Sequence, residues 1–109
     1  MKEYMDQAKK VLKDWKGKSY AFGENALEAT GGYAREQGKK ARLVVTELGQ
    51  PWIEAPFERV KTSLKAKGIL FETAKGAGPN APREDVYRIG LQFARSRSDM
   101  IVALGGGST

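Results

Sequence analysis

Three times along this chain, a stretch with helical spacing of apolar residues is followed by a short break and then by a short apolar run. Glu24 to Gln37 leads through Gly38-Lys39-Lys40 to Ala41–Thr46, and Glu54 to Lys67 leads through Gly68 to Ile69–Thr73. Asp85 to Arg97 leads through Ser98-Asp99 to Met100–Leu104. Strands alternating with helices predict β–α units and a mainly parallel sheet. Nearly continuous apolar strands such as Leu43-Val44-Val45 predict helices on both faces of that sheet. The expected fold is therefore α/β and Rossmann-like, a three-layer α/β/α arrangement around a mainly parallel sheet. A helix over Met1 to Trp15, with Met5, Ala8, Leu12 and Trp15 on one face, is expected ahead of it. Ser19-Tyr20-Ala21-Phe22 reads as one further short strand.

Glycines punctuate the pattern. Gly38 is expected to end the first of the three helices as a C′ glycine, and Gly68 the second. The pair Gly31-Gly32 lies inside a helix, where each glycine costs about 1 kcal/mol relative to alanine. Pro82 suits the first turn of the last helix.

The loops sort into two kinds. Those entering strands are short. Those leaving strands, Glu47 to Ile53, Ala74 to Arg83 and Gly105 onward, are longer and richer in Gly, Pro and polar residues. In open α/β sheets, ligands bind outside the carboxyl ends of the strands, which is where these three loops converge.

Composition removes several kinds of chemistry. The chain has no Cys and no His. Disulfides, thiolate nucleophiles, imidazole ligands and histidine-based triads are therefore excluded within these 109 residues. Net charge is +6, but the bases are spread, with Lys9-Lys10, Lys39-Lys40 and Lys61/Lys65/Lys67 near helix surfaces or ends. Nucleic acid is not the expected partner, although a stand-alone basic α/β binding module without catalysis is the alternative reading. Met1 to Trp15 lacks the apolar stretch of a signal peptide, and no run approaches the ~20 apolar residues of a membrane span. A cytoplasmic protein, with no membrane partner, is expected.

Three features sit on the ligand edge. Gly105-Gly106-Gly107-Ser108-Thr109 follows a strand directly, where glycines allow a close backbone approach and a helix start would favour a diphosphate. A flexible glycine tail is the plainer reading of the same residues. The stretch Gly78-Pro79-Asn80-Ala81-Pro82-Arg83-Glu84-Asp85 is a rigid turn offering an amide, or simply a turn before a helix. Thr46-Glu47 places a carboxylate at a strand end, where it suits a ribose hydroxyl or stands free in solvent. Trp52, beside Pro51 on this edge, is either a packing residue or a ligand contact.

The order of these features resembles the N-terminal domain of the iron-containing (group III) alcohol dehydrogenases. The likeness rests on Tyr20-Ala21-Phe22-Gly23-Glu24-Asn25-Ala26-Leu27, Thr46-Glu47, Pro79-Asn80 and the strand followed by Gly105-Gly106-Gly107-Ser108. It covers nearly all of the chain after Trp15. The resemblance implies an NAD(P)-binding domain, followed in a complete enzyme by a helical domain holding Fe2+ or another divalent metal. Carried over by position, Gly106, Gly107 and Ser108, with Thr109 beside them, match the pyrophosphate loop, and Asn80 matches a cofactor contact. Thr46 and Glu47 stand at the ribose position, where many members have Asp, which favours NAD while NADP stays open. Pro79-Asn80-Ala81-Pro82 departs from the family's Pro-Asn-Pro pattern.

On this reading residues 1–15 are an N-terminal amphipathic helix, and residues 16–109 are a dinucleotide-binding domain truncated after the glycine turn. They hold neither catalytic nor metal-binding residues, and the alcohol or aldehyde substrate would be met only in the complete enzyme. The isolated chain is then expected to be inactive and to bind NAD weakly. A last strand without a covering helix is expected to favour a homo-oligomer or strand exchange.

Overall fold

The computed structural model describes residues 2–17, 20–21 and 23–106. Helix α1 spans Lys2–Lys16. A 3-10 turn over Ala26–Ala29 runs into α2, Thr30–Gln37. Then β1 (Lys40–Val45), α3 (Pro51–Ala66), β2 (Leu70–Lys75), α4 (Arg83–Ser96) and β3 (Met100–Leu104) alternate as the sequence predicts. Among the described residues the sheet has three strands, all parallel, in the order β2-β1-β3.

Side chains alternate along a strand, so β1 serves both faces of the sheet. Ala41, Leu43 and Val45 point into the main core with Ala34 of α2 and Ile53, Val60 and Leu64 of α3. The opposite face carries buried Val44 and Ala74, and Lys40 Nζ there donates to the Ser96 carbonyl of α4 at 2.5 Å. Three layers result. Right-handed crossovers require this: the step from β1 to β2 and the step back past β1 to β3 run in opposite directions, so α3 and α4 take opposite faces. Helix α4 lies over β1 and β2, leaving β3 as a sheet edge with Ile101 54% exposed.

The structure corrects several local readings. Tyr20 and Ala21 join no strand, and Tyr20 instead donates its hydroxyl to the Lys9 carbonyl of α1 at 2.9 Å; Ser19 and Phe22 lie outside the described residues. With β1 flanked by β2 and β3, no described backbone pairs with that segment. Helix α1 contributes nothing to the main core cluster, and Tyr4, Val11 and Trp15 are exposed. Helix α3 starts at Pro51, before the expected Glu54, because Pro51 itself takes the first helical position.

Gly68 ends α3 as expected, in a left-handed conformation at φ 71. Its N–H reaches Lys65 O and the Ile69 N–H reaches Leu64 O, the paired bonds of a Schellman motif. Gly38 is different. Its φ of 169 is extended backbone, so no left-handed C′ position explains it. Its glycine is required by Asp99, since a Cβ on Gly38 would lie 2.6 Å from the Asp99 Cβ.

Asp99 uses that closeness to accept the Lys39 and Lys40 N–H groups at 2.8 and 3.1 Å on Oδ2. Those two backbone bonds hold its carboxyl below the ordinary aspartate range. A lowered folded-state pKa means stability that is present above the unfolded-state value and is lost as pH falls through the folded one. Asp99→Asn is therefore expected to lower thermal stability at neutral pH, with the gap to the parent closing as pH drops below 3.8, the unperturbed value. Melting curves followed by circular dichroism across the acid range check this. A gap independent of pH would show that the charge is not the cause.

Candidate functional site

The carboxyl ends of the three strands are tied together by backbone bonds. Gly76 N–H donates to Val45 O at 2.8 Å, and Thr46 N–H donates to Leu104 O at 2.9 Å. Adjacent β1 and β2 then send their loops to opposite faces of the sheet. A crevice opens at this carboxyl edge, where ligands of open α/β sheets bind. The crevice is a groove of about 910 Å³, of the size of known ligand clefts. All three of the long strand-exit loops line it, contributing Thr46 to Trp52, Lys75 to Pro79, and Gly106.

Its floor is backbone. At Gly76 a Cβ would stand 3.1 Å from Thr46 Cα, so the two exit segments meet more closely than most side chains allow. On one wall, Glu47 has a left-handed conformation at φ 47 and opens a turn closed by Gln50 N–H to Glu47 O, 3.0 Å. Its Oε2 accepts the Trp52 indole N–H at 2.8 Å.

The other wall is the segment from Gly76 to Pro82. Ala81 N–H bonds Gly78 O at 3.0 Å, with Asn80 at φ 62, which is the pattern of a type II turn with Pro at its second position and Asn at its third. Two side chains of α4 hold this segment. Asp85 Oδ2 accepts the Gly78 N–H at 2.9 Å, and Arg88 donates to Gly76 O at 3.2 Å and to Gln92 Oε1 at 3.0 Å. Arg88 also lies 3.9 Å from Asp85, so the groove's basic and acidic groups are partly paired with each other. Lys75 adds a second cation to the groove's lining.

Among the residues expected from sequence, Thr46, Glu47 and Gly106 line one groove together. Asn80 stands exposed at the tip of its turn, one residue past the stretch of lining that ends at Pro79. Gly107, Ser108 and Thr109 lie outside the described residues. Sequence reasoning missed Arg88 altogether and gave Asp85 no role. A signal for Asp85 existed: it sits at the third helical position after Pro82, where an acid characteristically reaches back to a preceding N–H. Arg88, one turn further on, carries no such mark. Among the described residues no group of three His, Cys, Asp or Glu could hold a metal ion, and no helix is long and apolar enough to cross a membrane.

Residues 17–109 match the family model of the iron-containing alcohol dehydrogenases. The chain belongs to that family. The 1,3-propanediol dehydrogenase of Citrobacter freundii is 35% identical over 89 residues, which are 80% of this chain and 23% of that protein. The 3-dehydroquinate synthase of Gloeobacter violaceus is 38% identical over 92 residues, 77% of this chain and 24% of that protein. The chain thus spans about a quarter of the length of these relatives. A crystal structure of a 1,3-propanediol oxidoreductase superposes with a TM-score of 0.73 at 30% identity, over 84% of this chain and 24% of that one. The alcohol dehydrogenase from Oenococcus oeni shares the fold at a TM-score of 0.71 and 23% identity, with the same coverage. The α/β fold expected of an iron-containing alcohol dehydrogenase is therefore present, with its open parallel sheet.

Proposed function

We propose that these residues form the adenosine and pyrophosphate side of the cofactor site of an NAD-dependent alcohol dehydrogenase. The observation that carries this reading is the groove at the carboxyl edge of the sheet, which a strand-end carboxylate and several glycines line together. The residues fit the group. Glu47 offers acceptor oxygens to ribose hydroxyls, and Gly76 and Gly106 leave room for a diphosphate close to the backbone. Lys75 and Arg88 bring positive charge to the same groove. When bound, the nicotinamide would supply hydride transfer with an alcohol or aldehyde. Asn80, Gly107, Ser108 and Thr109 complete the proposed cofactor contacts. These 109 residues contain no histidine, and among the described ones no group of three His, Cys, Asp or Glu could hold a divalent metal.

The groove is open to solvent, so millimolar NAD affinity is expected of the 109-residue polypeptide. Glu47 sets the preference. An exposed carboxylate a few ångströms from a ribose 2′-phosphate costs about 1.4 kcal/mol, roughly tenfold in affinity. Titration calorimetry with NAD and with NADP is expected to show that ratio, and Glu47→Gln is expected to remove it. Equal affinities for the two dinucleotides in the parent chain, or no saturable binding of either, would overturn the reading.

A further inference from the structure

Trp52 is the second residue of α3, and a large apolar side chain there is 59% exposed. Its indole is therefore not consumed by packing, although its N–H is fully engaged with Glu47. Both side chains line the same groove. An exposed glutamate ordinarily samples many rotamers, and a donor held by a helix removes that freedom. The indole N–H takes one lone pair of Oε2, which leaves Oε1 and the rest of Oε2 to accept from other donors. The left-handed backbone of Glu47 and the helical backbone of Trp52 set the two groups on neighbouring rigid segments. A fixed acceptor beside an exposed aromatic face is complementary to a nucleoside, whose sugar donates hydroxyls and whose base stacks.

We infer that Trp52 is a positioning residue that sets the sugar-phosphate specificity of this groove, fixing Glu47 against the ribose and offering its ring to the base. This rests on the proposed dinucleotide reading and adds the cause of its selectivity. A tethered carboxylate cannot swing away from a 2′-phosphate, whereas an untethered one rotates into solvent and relieves the repulsion. Discrimination between ribose and ribose 2′-phosphate therefore depends on the indole N–H, and affinity for the base depends on the ring.

The test uses the 109-residue chain labelled with nitrogen-15, because amide and indole spectra report millimolar binding. The probes are adenosine 5′-monophosphate and adenosine 2′,5′-bisphosphate, and a Trp15→Phe variant assigns the two indole resonances. The monophosphate is expected to shift the Trp52 indole signal and to bind about tenfold more tightly than the bisphosphate. Trp52→Phe, which keeps a ring and removes the donor, is expected to bring that ratio toward unity. Trp52→Ala should in addition weaken the monophosphate. In a Glu47→Gln background, Trp52→Phe should leave the ratio unchanged, which a merely structural tryptophan would not require. Melting temperatures of all variants are measured alongside. If the ratio survives in Trp52→Phe while both nucleotides still bind in the groove, the positioning role is wrong and the dinucleotide reading stands. If neither nucleotide moves any groove resonance at tens of millimolar, the dinucleotide reading falls and this inference falls with it.

Discussion

Replacing Gly31 by alanine is expected to destabilise the chain by about 2–4 kcal/mol, while the same change at Gly32 raises stability by up to about 1 kcal/mol. The two glycines are neighbours in α2 and equivalent to any local propensity scale. Their surroundings are opposite. A Cβ on Gly31 would lie 2.1 Å from the Ser63 carbonyl oxygen and 2.8 Å from Lys67 Cγ, both on or just past α3. Backbone cannot yield there as a flexible side chain could, so α2 must move away from α3. That movement also breaks the bond from Gly31 N–H to Ser63 Oγ, 2.8 Å, whose hydroxyl in turn donates to Glu28 O at 2.8 Å. A Cβ on Gly32 meets nothing within 4 Å, which leaves only the gain in helix propensity. Urea denaturation of the two variants measures the difference. Equal effects from both positions would mean that α2 does not seat on α3 as described.

Leu64→Ala is expected to cost about 2–5 kcal/mol, the range for a fully buried leucine whose cavity cannot collapse. Leu64 is 0% exposed within a cluster that includes Ala34, Leu43, Val60 and Ile69. Its carbonyl also accepts the Ile69 N–H that closes the end of α3, so its backbone is held while its side chain is removed. A chain of this length has a total stability of about 5–15 kcal/mol, so this one change consumes a large part of it. Val86→Ala on α4, where Val86 is 52% exposed, should stay within about 0.5 kcal/mol. A small effect at Leu64, close to that at Val86, would contradict the placement of the core between α3 and the sheet.

What the sequence made legible is what local periodicity controls. The run Met100 to Leu104 is found as a strand residue for residue, and Gly68 ends α3 because its left-handed position is a local requirement. The convergence of three loops on one edge followed from alternation alone, and the groove lies there. Contacts made across the fold were not legible. Gly31 looks like a local weakness until Ser63, 32 residues away, is placed against it. Gly38 resembles a helix-ending glycine until Asp99, from the other end of the chain, is seen to occupy the space beside it. Tyr20 and Ala21 have strand-like composition, but pairing depends on a free sheet edge beside them, which composition does not encode. The role of Arg88 depends on the loop that its guanidinium happens to meet.

The claim that unites these observations is that the carboxyl edge of the sheet is a nucleotide site. Its most direct test is a nitrogen-15 correlation spectrum of the 109-residue chain, recorded along a titration with NAD. Shifts are expected to be confined to Thr46 through Trp52, Lys75 through Asp85, and Gly105 onward, with α1 and the groove between α2 and β3 unmoved. Shifts centred on α1 or on Tyr33, Met100 and Val102, with the strand-end loops silent, would contradict it.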